Sequence, residues 1–436
     1  MQLLNHLRNR VSKWPYGLTS VLAGLAAFGA YTSMYAFRKA FAAGTFTGHQ
    51  YLHVDYKAWL VIAQVLGYML SKFYGIRFIA EVRSKSRGKS ILMLIAISWL
   101  ALLLFAVIPA PYNIICLFIN GFPLGMIWGL VFGYLEGRKA TEFMAAVLSI
   151  SLIFASGFVK TVARNIMSNM HVSEYTMPFI TGAFFVVPLL LFVLFLEVMP
   201  APTAEDKALR TERLPMDAAE RKAFLIRFLP GIILTVIVYV LLTVMRDIRD
   251  NFEVEIWHGL GIKNNGIFAS IDSVISVAVL AGISLLILIR NNLRAFAVIH
   301  IFIICGCLLA GLATIFFNAG VISPIWWMTI AGLGLYAGYV PYNAIFFERM
   351  IASFHYKSNV GFIMYVADAI GYLGSISVLL LKELGNPHIS WNLFFKDGLL
   401  VLSIIGGISG TLSLIYFMQS ARKGIKEKNN LSLFTV

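Results

Sequence analysis

Twelve apolar runs follow one another along the chain, at 17–41, 57–77, 90–109, 113–135, 143–165, 177–198, 228–250, 267–289, 295–317, 324–347, 359–381 and 397–419. A helix needs about 20 apolar residues to cross the hydrocarbon core of a bilayer, and each run supplies roughly that. Short connections, often with Gly or Pro, separate most of them. Strands of alternating polarity are absent, so the pattern predicts helices and excludes an outer-membrane barrel. One connection differs. Residues 199–227, which include "TAEDKALRTERLPMDAAERK", are charged and Pro-bounded, with a weak amphipathic helix near the end. They read as a cytoplasmic linker between an N-terminal six-helix half, 1–198, and a C-terminal six-helix half, 228–436. The expected fold is therefore an all-α membrane protein of twelve transmembrane helices in two pseudo-symmetric bundles.

Composition strengthens this reading. Of 436 residues, 59% are hydrophobic and 13% charged, and the mean hydropathy is +0.81. A soluble chain of this length needs far more polar surface. The first run is too long for a signal-peptide core and lacks a small-residue cleavage site, so it is expected to stay as a span. Cys116, Cys305 and Cys307 lie in apolar runs without metal-ligand or disulfide spacing. Neither a metal nor a cofactor is expected.

The formal net charge of +14 raises the question of nucleic acid. Its placement answers differently. With the N terminus inside, 24 of the 35 Lys and Arg residues fall on cytoplasmic segments and six outside. That bias predicts both termini in the cytoplasm of a cell (inner or plasma) membrane, and it makes the basic balance a membrane-surface effect. The bilayer is the expected partner, nucleic acid is not, and the chain is expected to be a monomer.

Five cations remain within the runs: Arg38, Lys39, Lys72, Lys160 and Arg246. At membrane depth each costs a few kcal/mol unless it meets water, a partner or a ligand. Tyr31, Tyr35 and Arg38 share one stripe of the first run, at i, i+4 and i+7. Lys39 lies about 100° round the helix, turned away, and is expected to snorkel and to be dispensable. Tyr239, Thr243, Arg246 and Asp250 make a comparable stripe in the seventh run, where an internal repeat would restart. A further echo joins "GFPLGMIWGLVFGYLEGRK" (121–139) to "GLGLYAGYVPYNAIFFERM" (332–350). Close helix crossings explain its glycines. Asp272 and Asp368 are single carboxylates within runs eight and eleven. Each is either a proton-coupling group or the counter-ion of a cation such as Arg246 or Lys160. No HExxH, GxSxG or paired-Asp motif occurs in the runs, so no enzyme is expected.

These residues resemble the major facilitator superfamily, and locally its organophosphate:phosphate antiporters. The resemblance rests on "YAFRKAFA" (35–42), on Ser71-Lys72-Phe73 in "GYMLSKFYG", on Arg246, and on Gly371-Tyr372-Leu373-Gly374. It implies alternating access, with Arg38 and Arg246 binding a phosphoryl group and Lys72 adding positive potential. Where that family has a substrate-contacting His in the fifth span, this chain has Phe154, with Lys160, a candidate substrate-binding residue, lower down. The family's loop motif survives only loosely, as "GIRFIAEVRSKSRGK".

Two arginines on facing half-bundles would be drawn together by an oxyanion that accepts bidentate bonds from both. Tyr31, Tyr35, Tyr239 and Tyr365 would offer directional hydrogen bonds to the organic part. The expected function is exchange of a small organic anion, a phosphate ester, for phosphate. The alternatives are a proton-coupled organic anion or sugar symporter, using Asp368 or Asp272, and a non-transporting membrane sensor of the same ligand.

Overall fold

The structure, a computed structural model, describes residues 2–81, 86–200, 206, 218–354, 360–385 and 388–433. A short helix α1 (Gln2–Val11) precedes the long helices α2 (Tyr16–Lys39), α3 (Tyr56–Glu81), α4 (Arg87–Val107), α5 (Ile114–Leu135), α6 (Thr141–Met170) and α7 (Met177–Val198). The series continues as α8 (Ala218–Gly259), α9 (Ile267–Ile287), α10 (Asn292–Asn318), α11 (Pro324–Phe354), α12 (Val360–Gly385) and α13 (Trp391–Arg422). Each apolar run of the sequence thus becomes one of the helices α2 to α13. Among the described residues, ten of them are long and apolar enough to cross a membrane. The other two, α3 and α12, include side chains outside those described.

Several helices outrun their apolar stretches. The longest, α8, runs 42 residues, with one non-helical step at Phe252 (φ −117°, ψ 19°). Its continuation beyond Met245 reads "RDIRDNFEVEIWHG", too polar to mark a span in sequence. Inside the protein those polar groups find partners, so the helix does not have to stop. In α11, Pro341 withholds a backbone N–H, and the next turn, Tyr342–Phe346, widens to a π-helix.

Packing divides the chain into two compact bodies. One comprises Met1–Thr211, Asp247–Leu280 and Tyr372–Phe395; the other comprises Glu212–Arg246, Ala281–Gly371 and Lys396–Val436. The boundary within α8 falls between Arg246 and Asp247.

In the first body α2 packs on α6, α7 and α5, while α5 also packs on α3 and α4. The α3–α5 crossing is too close for side chains. A Cβ on Gly67 would lie 2.3 Å from the Phe118 carbonyl oxygen, and one on Gly121 2.3 Å from that of Gln64. A two-stranded hairpin, β1 (Gln50–Tyr51) with β2 (Val54–Asp55), joins α2 to α3.

In the second body α10 packs on α11 and α13. Gly306 and Gly334 face one another there, each Cβ position about 2.5 Å from the other's carbonyl oxygen. Gly121 and Gly125 of the first echo segment and Gly334 of the second are thus crossing residues. The three cysteines are unbridged.

Candidate anion site

Arg38 is the last residue but one of α2. In the first body Tyr31, Tyr35 and Arg38 share one face, with the two rings 5.5 Å apart and the Arg38 guanidinium carbon 5.6 Å from the Tyr35 ring. The closer neighbour is Tyr68 of α3, whose ring centre lies 3.8 Å from that carbon. Lys72, one turn further along α3, places Nζ 5.2 Å from the same ring. Tyr372 of α12 meets the Tyr68 ring edge-on at 5.5 Å.

Amides fix the end of α2. Asn120 of α5 donates Nδ2 to the Phe37 carbonyl at 2.9 Å, and Gln64 of α3 donates Nε2 to the Arg38 carbonyl at 2.6 Å. Gln64 also donates to Asn120 Oδ1, so the two clamps are one unit.

The Arg38 side chain is only 6% exposed. Among the described residues it makes no ion pair and no hydrogen bond, and its Nε is fully buried without a partner. Among the described residues, aromatic faces are what hold this permanent cation.

In the second body Arg246 also lies over a tyrosine. Its guanidinium carbon is 4.2 Å from the Tyr339 ring centre, and its Nη1 donates to the Tyr339 hydroxyl. Tyr339 stacks on Tyr239 at 5.6 Å and 21°, and Tyr342 meets Tyr239 edge-on at 5.3 Å. The Tyr239 hydroxyl donates to Asp368 Oδ1. Thr243, between Tyr239 and Arg246 on the same face, donates Oγ1 to the Tyr239 carbonyl at 2.7 Å. A Cβ on Gly371 would come 3.0 Å from that Oγ1, so the glycine of "GYLG" lets α12 approach α8.

The structure therefore gathers Tyr31, Tyr35, Arg38 and Lys72 in one cluster, and Tyr239, Arg246 and Asp368 in another. The side chain of Tyr365 lies outside those described. The sequence did not single out Tyr68, Gln64, Asn120 or Tyr339. Tyr68 had a signal, because it stands four residues before Lys72 on the same helix face. Tyr339 had only its place in an aromatic-rich segment.

Other expected site residues are occupied elsewhere. Lys160 is fully buried in an ion pair with Glu253 at 2.5 Å. Phe154 lines a mostly apolar cavity of about 470 Å³ with Phe28, Phe158 and Phe185. Asp272 pairs with Arg249 at 2.7 Å, and Arg249 also reaches Glu253 at 3.4 Å. Lys39 turns away from the Arg38 stripe but does not snorkel. It is buried and donates to Asn251 Oδ1 at 2.7 Å. Three of the six cations expected on outside segments, Lys57, Arg249 and Lys382, are likewise buried. Lys57 pairs with Glu255, Lys382 with Glu383, and Arg249 as above. Sequence patterning could not see this, because each partner except Glu383 lies a turn or more away, most of them on another helix.

The chain resembles the crystal structure of a D-xylose-proton symporter over 92% of its length and 97% of that chain, with a TM-score of 0.60 at 14% sequence identity. An identity that low speaks to architecture alone: the twelve helices have the major facilitator fold. No curated protein matches the sequence. Residues 40–420 match a family described as "Family of unknown function (DUF5690)".

Proposed function

The chain belongs to that family of unknown function, DUF5690, and for it we propose a secondary active transporter that carries a small organic anion by alternating access. The substrate class is a phosphate ester, exchanged for phosphate. The observation that carries this reading is Arg38, buried on tyrosine faces with no carboxylate beside it among the described residues. A guanidinium stays charged at any physiological pH. Burying it without a counter-ion is costly, and a desolvated cation–π contact returns only about 2 kcal/mol. A ligand oxyanion would supply the missing charge with bidentate geometry. Lys72, with its ammonium 5.2 Å from the same Tyr68 ring, adds positive potential, and the tyrosine hydroxyls of both clusters suit the organic part of the ligand. The local resemblance to organophosphate:phosphate antiporters points the same way. Arg246 is proposed to act on the anion as well.

The chain is proposed to reside in a cell membrane as a monomer, with both termini cytoplasmic. The test of the substrate class is thermal stabilisation of purified protein by a panel of phosphate, phosphate esters, organic acids and sugars. Phosphate and its esters should raise the melting temperature, and Arg38→Met should abolish the shift. A shift with sugars alone would overturn the reading.

A further inference from the structure

The last four carbonyls of an α-helix have no donor within the helix. In α2, which ends at Lys39, those carbonyls include Phe37 and Arg38. The chain passes next into the 3₁₀ turn Ala40–Ala43, whose N–H groups reach back three residues rather than four. Side-chain amides supply the donors instead. A primary amide has two N–H groups to give. Gln64 gives one to the Arg38 carbonyl at 2.6 Å and one to Asn120 Oδ1 at 2.8 Å. Asn120 gives one to the Phe37 carbonyl at 2.9 Å and one to the Ser98 carbonyl at 3.0 Å. Every N–H of the two amides is used, and both side chains are buried. The pair thus ties α2, α3, α4 and α5 together at the level of Arg38.

Gln64 stands on the same α3 face as Tyr68 and Lys72, at i, i+4 and i+8. One helix face therefore takes the Arg38 main chain with Gln64 and its guanidinium with Tyr68, whose ring centre lies 3.8 Å from the guanidinium carbon. The backbones of α3 and α5 nearly touch here, since a Cβ on Gly121 would lie 2.3 Å from the Gln64 carbonyl oxygen. Contact that close fixes the height of Gln64 against Asn120.

We propose that Gln64 and Asn120 are positioning residues of the anion site, which touch no ligand but hold Arg38 in the register that lays its guanidinium on Tyr68. This rests on the reading of Arg38 as an anion-binding residue. An arginine side chain has much rotamer freedom to lose, and a preformed fork spares the ligand that cost. With main chain and guanidinium both held by α3, Arg38 presents its fork already in place. Releasing the main chain keeps the charge but frees the fork. A guanidinium in that state loses its advantage over an ammonium, which is the bidentate geometry.

The test is a cycle of four full-length proteins: wild type, Gln64→Met, Arg38→Lys and the double variant. Inorganic phosphate affinity is read by calorimetry, at a temperature where melting curves show all four folded. Methionine keeps the length of glutamine and removes both donors. Gln64→Met should weaken phosphate binding roughly fivefold or more, and Arg38→Lys about tenfold or more. The double variant should bind about as weakly as Arg38→Lys alone, because a lysine has no fork to position. Gln64→Asn, whose amide falls one carbon short of the Arg38 carbonyl, carries the same cycle if Gln64→Met does not fold.

A purely structural role lowers the melting temperature and either leaves affinity as in wild type or multiplies the two losses in the double variant. Either result overturns the proposal. If Arg38→Lys weakens phosphate binding and Gln64→Met does not, only the positioning role fails. If wild type does not bind phosphate, the anion-site reading fails and takes the positioning role with it.

Discussion

Arg38 and Lys39 are neighbours with opposite fates. Arg38 has aromatic faces and no counter-ion among the described residues; Lys39 has an amide partner on α8. Removing a charge-assisted bond to a ligand costs roughly 1.5–3 kcal/mol, and a lysine cannot reproduce the planar fork. Arg38→Lys and Arg246→Lys should each weaken phosphate binding about tenfold or more, read by calorimetry. Non-additive losses in the double variant would mean that both act on one ligand. Lys39→Met should behave differently, because it leaves the buried Asn251 Oδ1 without that donor. The expected cost is about 1–3 kcal/mol of stability, seen as a lower melting temperature, with phosphate affinity unchanged. The Tyr31, Tyr35, Arg38 stripe was legible in the sequence because residues one turn apart must share a helix face. Tyr68 and Tyr339 were not, since which ring meets a guanidinium depends on how two helices are rotated against each other.

At the scale of elements, the apolar runs located the helices well, because about 20 uncharged residues in a row is a signal with few other meanings. They failed where α8 runs on past Arg246. From Asp247 this helix presents carboxylates and an arginine to the rest of the first body. There Ser375 donates to Asp247 at 2.8 Å, Ser156 lies 3.3 Å from Asp250, Lys160 holds Glu253 and Lys57 holds Glu255. Partners about 90 to 200 residues apart in sequence cannot be paired by inspection. Breaking a buried ion pair from one side typically costs 3–5 kcal/mol. Lys160→Met should therefore lower the melting temperature sharply. The exchanged pair Lys160→Glu with Glu253→Lys should recover less than full stability, because Arg249 also reaches Glu253. Full recovery would mean that the Arg249 contact contributes nothing. Gly157 belongs to the same region: a Cβ there would lie 2.3 Å from the Phe268 carbonyl oxygen, so Gly157→Ala should cost about 1–3 kcal/mol through overpacking.

For the whole molecule, the charge pattern sets the expected orientation, and labelling can check it. Single cysteines placed at Lys207, in the linker, and at Lys263, between α8 and α9, should react from opposite sides of the membrane. Reaction from one side only would overturn the assignment of the termini. The exposed Cys305 has to be replaced first.

The buried charge of Arg38 also bears on what the membrane potential can do. An elementary charge moved across 100 mV is worth about 2.3 kcal/mol. If the anion held at Arg38 is an ester swapped for a phosphate of equal charge, each turn moves as much charge in as out, and the transport cycle is electrically silent. Such a carrier follows the two anion gradients, and a voltage applied alone across the bilayer does not drive it.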